Sequence, residues 1–385
     1  MKYITFGKPL IGENEKNEIL DSLNNAWLGT GPKVAQFENS IKKYTKAKYA
    51  CALSSGTAAL FLSMKALGIG PGDEVITTSL TFVATVNAIE HVGAKPVIVD
   101  VDKGTGNIDP VLIEDNITKR TKAIIPVHYC GLPCDMDEIT RIAKKHKLYV
   151  IEDAAHCLEG SYKGRKIGSI STLTCFSFYA TKNVTTGEGG MVVSNNKDLI
   201  NKIRIYSLHG LCADAWKRYS DKGHKTYEVT VPGYKFNMMD LQAAIGIHQI
   251  KQIKSFYKIR LEQWRKYNNE LKDLPVILPP PLPNRNILHA LHLYTILIDK
   301  KKCSLTRENL QTKLHERGIG TGIHFIAVHN HKYYKKKYAF KPNSFPNANY
   351  VSERTISLPI GPALKKKEQD YIIKTLRAIL KDVQK

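Results

Sequence analysis

Three groups in this sequence could do chemistry together. Lys182 follows the apolar run Cys175-Phe-Ser-Phe-Tyr179 and precedes the glycine-rich turn Gly187-Glu-Gly-Gly190. Asp153 stands upstream at the end of Leu148-Tyr-Val-Ile-Glu152 and is followed by Ala-Ala-His156. Further upstream lies Ser54-Ser-Gly-Thr-Ala-Ala59. A lysine amine can form a Schiff base with an aldehyde. A carboxylate can keep a pyridine nitrogen protonated, and a Ser-Gly-Thr turn opening a helix offers free N–H groups to a dianion. Pyridoxal phosphate is the cofactor that needs all three.

Each group has an ordinary alternative. Ser55-Gly56-Thr57 also reads as a helix cap, and Asp153 as an N-cap before Ala154-Ala155. Lys182 is one of many lysines, yet Phe176, Phe178 and Tyr179 before it point to a partly apolar pocket. Such a pocket matters because a free lysine, with a pKa of about 10.4, is protonated and a poor nucleophile at neutral pH. Burial lowers that value. The Ser-Gly-Thr turn is not a nucleotide P-loop, since no G-x-x-x-x-G-K-[ST] is present. No metal is expected. His324, His329 and His331 lack a carboxylate or cysteine to complete a set, and Cys130 and Cys134 have no second close pair.

Positioning these groups requires a sheet. Short apolar runs at Tyr49–Leu53, Glu74–Thr78, Pro96–Asp100, Thr121–Val127 and Leu148–Glu152 read as strands. Helical patterns between them, such as Ala58–Leu67, Thr81–Val92 and Met136–His146, give a repeated β-α-β alternation. That alternation predicts an α/β fold with a mostly parallel sheet covered on both faces. Cys175–Phe178 and Gly190–Ser194 read as two further strands around the lysine. Residues 13–27 and Val34–Tyr44 read as helices ahead of the sheet. After Gly233 the pattern changes. Met239–Phe256 reads as one amphipathic helix continuing through Tyr257–Leu271, followed by the proline-rich stretch Pro275–Pro283. His292–Ile298 then reads as a strand, and Thr306–Arg317 and Lys366–Val383 as helices. The expected division is a large domain over residues 1–254 and a smaller C-terminal α+β domain over 255–385.

The formal charge of +22 admits three readings: a nucleic-acid binder, a site that attracts anionic substrates, or a lysine-biased solvated surface. Lys300–Lys302, Lys335–Lys337 and Lys365–Lys367 are scattered, and no helix-turn-helix or zinc-finger pattern accompanies them, so nucleic acid is not expected as a partner. No apolar run is long enough to span a bilayer, so neither is a membrane. The N-terminus lacks the apolar stretch of a secretion signal, which predicts a cytoplasmic protein.

Six segments in order carry a resemblance. They are Ser54-Ser-Gly-Thr-Ala-Ala-Leu60, Gly72-Asp-Glu-Val-Ile76, Ile151-Glu-Asp-Ala-Ala-His156, Ser177-Phe-Tyr-Ala-Thr-Lys-Asn183, Thr186-Gly-Glu-Gly-Gly190 and Gly233-Tyr-Lys-Phe-Asn237. Together they resemble the DegT/DnrJ/EryC1/StrS family of sugar aminotransferases, over about residues 7 to 380. The resemblance implies a pyridoxal-phosphate enzyme of fold type I, similar to aspartate aminotransferase, working as a homodimer with shared active sites. It implies Lys182 as the Schiff-base and proton-transfer residue and Asp153 as partner of the pyridine nitrogen. Phe82 matches the aromatic stacked on the ring, and His156 the residue beside the ring hydroxyl. Gly56, Thr57 and Ser177 match phosphate contacts. Lys235 stands where many relatives have Asn, so Lys235 or Asn237 would reach the neighbouring subunit's phosphate. Tyr179 stands where many relatives have His.

Gly322-Ile-His-Phe-Ile-Ala-Val-His329 resembles the substrate-side loop of 4-aminoarabinose-type enzymes, which assigns His324, Phe325 and His329 to the substrate. The Asp-Ala-Ala-His form likewise resembles enzymes that aminate C4 rather than C3. The implied reaction moves an amino group from L-glutamate, leaving 2-oxoglutarate, to a nucleotide-linked keto-sugar. Two alternatives are a sugar dehydratase of the same fold, whose relatives carry His at the lysine position, and a DNA-binding regulatory protein.

Overall fold

The computed structural model describes residues 3–211, 228–284, 286–341 and 343–381. Its strands are β1 (Tyr49–Leu53), β2 (Glu74–Thr78), β3 (Lys95–Val99), β4 (Thr121–Ile125), β5 (Tyr149–Asp153), β6 (Ser161–Tyr162), β7 (Arg165–Lys166), β8 (Leu173–Ser177), β9 (Gly190–Ser194), β10 (Val276–Ile277), β11 (Ile287–Leu288), β12 (Tyr294–Ile298) and β13 (Thr355–Leu358). The helices are α1 (Glu13–Asn24), α2 (Pro32–Thr45), α3 (Gly56–Ala66), α4 (Val83–His91), α5 (Pro110–Asp115), α6 (Met136–His146), α7 (Lys197–Ser207), α8 (Asp240–Lys251), α9 (Ile253–Leu271), α10 (Arg307–Glu316), α11 (Lys332–Tyr338), α12 (Pro346–Ser352) and α13 (Lys366–Lys381).

The central sheet has seven strands in the order β1-β9-β8-β5-β4-β2-β3. Neighbours from β3 to β8 pair in parallel, while β9 runs antiparallel to both β8 and β1. All seven of these strands were anticipated as apolar runs. Their middles are largely apolar because both faces are covered. The two-residue pleat sorts the side chains. Ile124, Met191 and Val193 join the core beneath α2, α6 and α8, with Phe37, Ile139 and Ile247. Ala123, Ile125 and Val192 face the opposite core beneath α3, α4 and α7, with Leu62, Ile89 and Ile203.

Beyond α8 the chain builds a second layer. β10, β12 and β13 form a three-stranded antiparallel sheet. It packs with α9, α10 and α13 through Trp264, Tyr267, Leu310, Leu314, Ile372 and Leu376. Ile4 belongs to this core too. It bridges in parallel to Ile319, its N–H donating to Gly318 O at 2.8 Å and its carbonyl accepting from Gly320 N at 2.9 Å.

The helix expected to run unbroken through residues 239–271 is instead divided at Gln252. Gln252 N donates to the i−3 carbonyl of Gln249, and the side chains of Gln249 and Gln252 both donate to Glu15 Oε1, at 2.8 and 3.0 Å. Satisfying that buried carboxylate tightens the turn. The expected domain division near residue 255 falls within the first turn of α9. The C-terminal helix ends at Lys381, and the remainder of its expected span lies outside the described residues. β13, α5, α7, α11, α12 and the two-residue strands β6, β7, β10 and β11 were not anticipated. Among the described residues, no helix is long and apolar enough to cross a membrane.

Gly246 lets α8 close on α2. A Cβ built there would stand 2.7 Å from the Phe37 ring and 2.9 Å from Thr186 Cγ2. Gly246→Val is expected to destabilise the protein by about 1–3 kcal/mol through overpacking. The check is a lowered thermal midpoint. Gly29→Ala, whose methyl meets open space, should leave the midpoint unchanged.

Candidate active site

Strand direction assembles the site. β1, β2, β5 and β8 all end at one sheet edge, the place where ligands sit in open parallel sheets. Asp153 is the last residue of β5 and Ser177 the last of β8, and Asp153 pairs in register with Cys175. α3 starts just after β1, and Phe82 caps α4 after β2. A cavity of about 460 Å³ opens at this edge, lined by Gly56, Thr57, Phe82, Asp153, His156, Ser177, Lys182, His324 and Phe325. The structure thus brings nine of the residues singled out in the sequence to one place.

Asp153 is buried on the cavity floor. Thr85 Oγ1 donates to its Oδ2 at 2.8 Å, and Ala155 N donates to Oδ1 at 3.2 Å. Thr81 and Thr85 share a further hydroxyl bond at 2.8 Å. Burial pushes the Asp153 carboxyl up, and the Thr85 and Ala155 donors oppose it. Below it, His128 and Glu152 form a fully buried pair at 2.8 Å. Cys134 N donates to His128 Nδ1 at 3.0 Å, so the proton of the neutral ring sits on Nε2 and is donated to Glu152. His128 N in turn donates to the Asp153 carbonyl at 3.1 Å.

Lys182 is half-buried in the cavity wall. Among the described residues no hydrogen bond or ion pair holds its amine. Burial lowers its pKa to about 8, while Asp153 opposes the shift. Roughly a tenth is therefore the neutral nucleophile at pH 7, against well under about a thousandth for an ordinary lysine.

The other end of the cavity suits an anion. Ser55 caps α3, its hydroxyl accepting from Ala58 N at 3.1 Å. The preceding N–H groups of Gly56 and Thr57 open the helix without intrahelical partners. A Cβ on Gly56 would lie 2.9 Å from Ser177 Cβ, and one on Gly190 would lie 2.2 Å from Ser55 O. Glycine at both positions keeps this cradle open.

Between these ends the walls are aromatic. Phe82 is 59% exposed at the mouth, a large apolar face that a flat ring would cover. His156 stacks on Phe325, with centroids 5.7 Å apart, and its buried Nδ1 has no hydrogen-bond partner. His324 Nδ1 meets Ser357 Oγ at 2.7 Å. Burial holds His156 well below its usual pKa and brings His324 to about 3, with the Lys182 charge adding to both shifts.

Three of the sequence-derived site residues lie elsewhere within one chain. His329 is buried beside Phe345, at 4.6 Å between centroids, and bonds Asn349 Oδ1 at 2.8 Å. It lies in a 3-10 turn, Val328–Asn330, and is not among the residues that line the cavity. Lys235 is exposed, on a segment bridged to Leu208. Asn237 donates to Thr30 Oγ1 at 2.7 Å. Thr85 and Ser55 line the cavity and were not singled out as ligands. A hydroxyl in the first turn of the helix that follows β2 was the available signal for Thr85.

These groups fit pyridoxal phosphate. An unpaired amine, a buried carboxylate, an open helix start, an orphan imidazole nitrogen and an uncovered aromatic face surround one cavity. Uptake of pyridoxal phosphate by the apoprotein requires the neutral Lys182 amine, so its rate should rise with pH and level off above about 8. Stopped-flow absorbance across pH 6 to 10 checks this. A rise continuing to the ordinary lysine value of about 10.4 would contradict the buried setting.

Residues 9–377 match the DegT/DnrJ/EryC1/StrS aminotransferase family. The chain is 48% identical over 380 residues to the spore coat polysaccharide biosynthesis protein SpsC of Bacillus subtilis, covering 98% of this chain and 97% of that protein. The PMP-form of Spr1654 from Streptococcus pneumoniae superposes with a TM-score of 0.91 at 32% identity, covering 98% of this chain and 99% of that one. Helicobacter pylori PseC, an aminotransferase involved in the biosynthesis of pseudoaminic acid, gives a TM-score of 0.90 at 28% identity, covering 99% of this chain and all (100%) of that one. With its fold and nearly its whole length in agreement, the chain belongs to the DegT/DnrJ/EryC1/StrS family and is a pyridoxal-phosphate-dependent sugar aminotransferase.

Proposed function

We propose that the enzyme transfers an amino group from L-glutamate to a nucleotide-linked keto-sugar, at C4 of the sugar. The observation that carries this reading is the single cavity where the unpaired Lys182 amine shares its walls with Asp153, the α3 start and His324-Phe325. The C4 assignment rests on the likeness of Gly322–His329 and of Asp153-Ala-Ala-His156 to C4-aminating enzymes. A basic protein, with +22 formal charge, would attract the diphosphate of such a sugar.

Pyridoxal phosphate, when bound, supplies an electron sink for the exchange. Asp153, aligned by Thr85, would set a negative charge against the ring nitrogen. The N–H groups of Gly56 and Thr57 and the Ser177 hydroxyl would hold the phosphate, and Phe82 would cover one ring face. Lys182 Nζ would take a proton from the donor's α carbon in the first half-reaction and deliver one to the sugar carbon that gains nitrogen in the second. His324 and Phe325 contact the sugar side.

We further propose a homodimer in which Lys235 crosses to the neighbour's phosphate. Asn237 is occupied by Thr30, whereas Lys235 is exposed.

Two experiments test the reading. Adding L-glutamate to the holoenzyme should bleach the visible band of the lysine-linked cofactor, and a nucleotide-linked 4-keto-sugar should restore it. Failure of glutamate alone would overturn the donor, and failure of every keto-sugar would overturn the acceptor. Lys182→Ala should lower turnover at least ~10³-fold, as loss of an essential proton-transfer group does. Separately, Lys235→Ala should weaken pyridoxal phosphate binding roughly tenfold, the scale of one charge-assisted hydrogen bond. Asn237→Ala should leave the affinity near wild type.

A further inference from the structure

Immediately after Lys182, Asn183 sits in a buried polar chain that the chemistry above does not use. Its Nδ2 donates to Glu159 Oε2 at 2.9 Å and to Ala290 O at 2.9 Å. Both partners are acceptors only, so the amide orientation is fixed and Oδ1 faces the other way. Oδ1 meets His292 Nδ1 at 3.0 Å. An amide oxygen cannot donate, so His292 must carry its proton on Nδ1. At the far end, Arg260 pairs with Glu159 Oε1, and both side chains are almost wholly buried.

This chain joins four distant segments. Arg260 comes from α9, Glu159 from the loop after β5, Asn183 from the lysine turn, and His292 from the approach to β12. The His292 segment is itself held, with Ala290 N donating to Gly131 O at 2.7 Å and Leu293 N to Cys130 O at 3.3 Å. His292 then lies against His156, with ring centroids 4.3 Å apart. His156 is the cavity residue whose Nδ1 has no partner. Two small voids behind the cavity are lined by His292, Lys182 and Asn183 together.

We propose that Arg260, Glu159 and Asn183 are positioning residues for transamination. They act by locking His292 as its neutral Nδ1–H tautomer, which holds the His156 ring and the Lys182 peptide in place. A core serving stability alone needs no such arrangement, because an apolar set of the same shape packs as well as a buried ion pair. Here the ion pair ends on the residue next to the reactive lysine and on the ring behind His156. Burial, with the Lys182 charge adding to it, keeps His292 well below its ordinary pKa, in keeping with the neutral tautomer.

The test begins with histidine-labelled apoprotein and two-bond proton–nitrogen correlation spectra, the His292 signals being assigned by their loss in His292→Asn. The expected pattern is a proton on Nδ1 and a bare Nε2 at pH 7. In Asn183→Ala this lock should be lost, with the two tautomers exchanging. A ring protonated on Nε2 in the wild type, or an unchanged pattern in Asn183→Ala, would overturn the proposal. These spectra need neither donor nor sugar, so their failure is distinct from failure of the glutamate assignment. Turnover supplies a second arm. The amide of His292→Asn can still donate to Asn183 Oδ1, so kcat should stay within about threefold of wild type, whereas His292→Leu should lose about tenfold or more in kcat with KM little changed. Equal losses in the two variants at equal thermal midpoints would also overturn it.

Discussion

The common direction of β1, β2, β5 and β8 is the constraint on which the site depends. Four segments far apart in sequence end at one edge because their strands point one way. The strand ends and the helix starts that follow them bring Gly56, Phe82, Asp153 and Ser177 to one cavity. The antiparallel β9 complements this arrangement. It returns the chain from Gly190 along β8, so the lysine turn is pinned at both ends by neighbouring strands. A rigid frame of this kind holds a reacting amine in place without requiring it to be hydrogen-bonded.

Desolvation acts on the whole cavity wall. It lowers Lys182 and holds His156, His292 and His324 neutral, while raising Asp153. The histidines can therefore serve as polar surfaces without adding positive charge beside the amine. Were they protonated, they would compete with the cofactor ring for Asp153. The pairing of a neutral base with a shielded acid thus follows from burial, tuned by a few placed donors such as Thr85 and Ala155.

Much of this was legible in the sequence. The seven central strands were, because strands buried on both faces must be apolar runs. Lys182, Asp153 and the Ser-Gly-Thr turn stood out because their chemistry is unusual for loops at strand ends. Other features were not legible. β13 is four residues long, too short to show a period, and its place depends on pairing with β12. His329 looked equivalent to His324, but its orientation is set by Phe345 and Asn349, residues on and beside a short helix whose position no local pattern revealed. The break at Gln252 follows from Glu15, a carboxylate brought from the other end of the chain.

The bridge between Ile4 and Ile319 bears on the order of assembly. During synthesis the segment around Ile4 leaves the ribosome long before Gly318 to Gly320, the residues that bridge it. Until then an apolar residue of the second core waits in solvent, a few residues from Gly7, where an added Cβ would press on Thr181 beside the reactive lysine. The cost of closing so long a loop grows only slowly with its length. The seven-stranded sheet can therefore form first, and the segment around Ile4 is fastened only once Gly318 to Gly320 have followed.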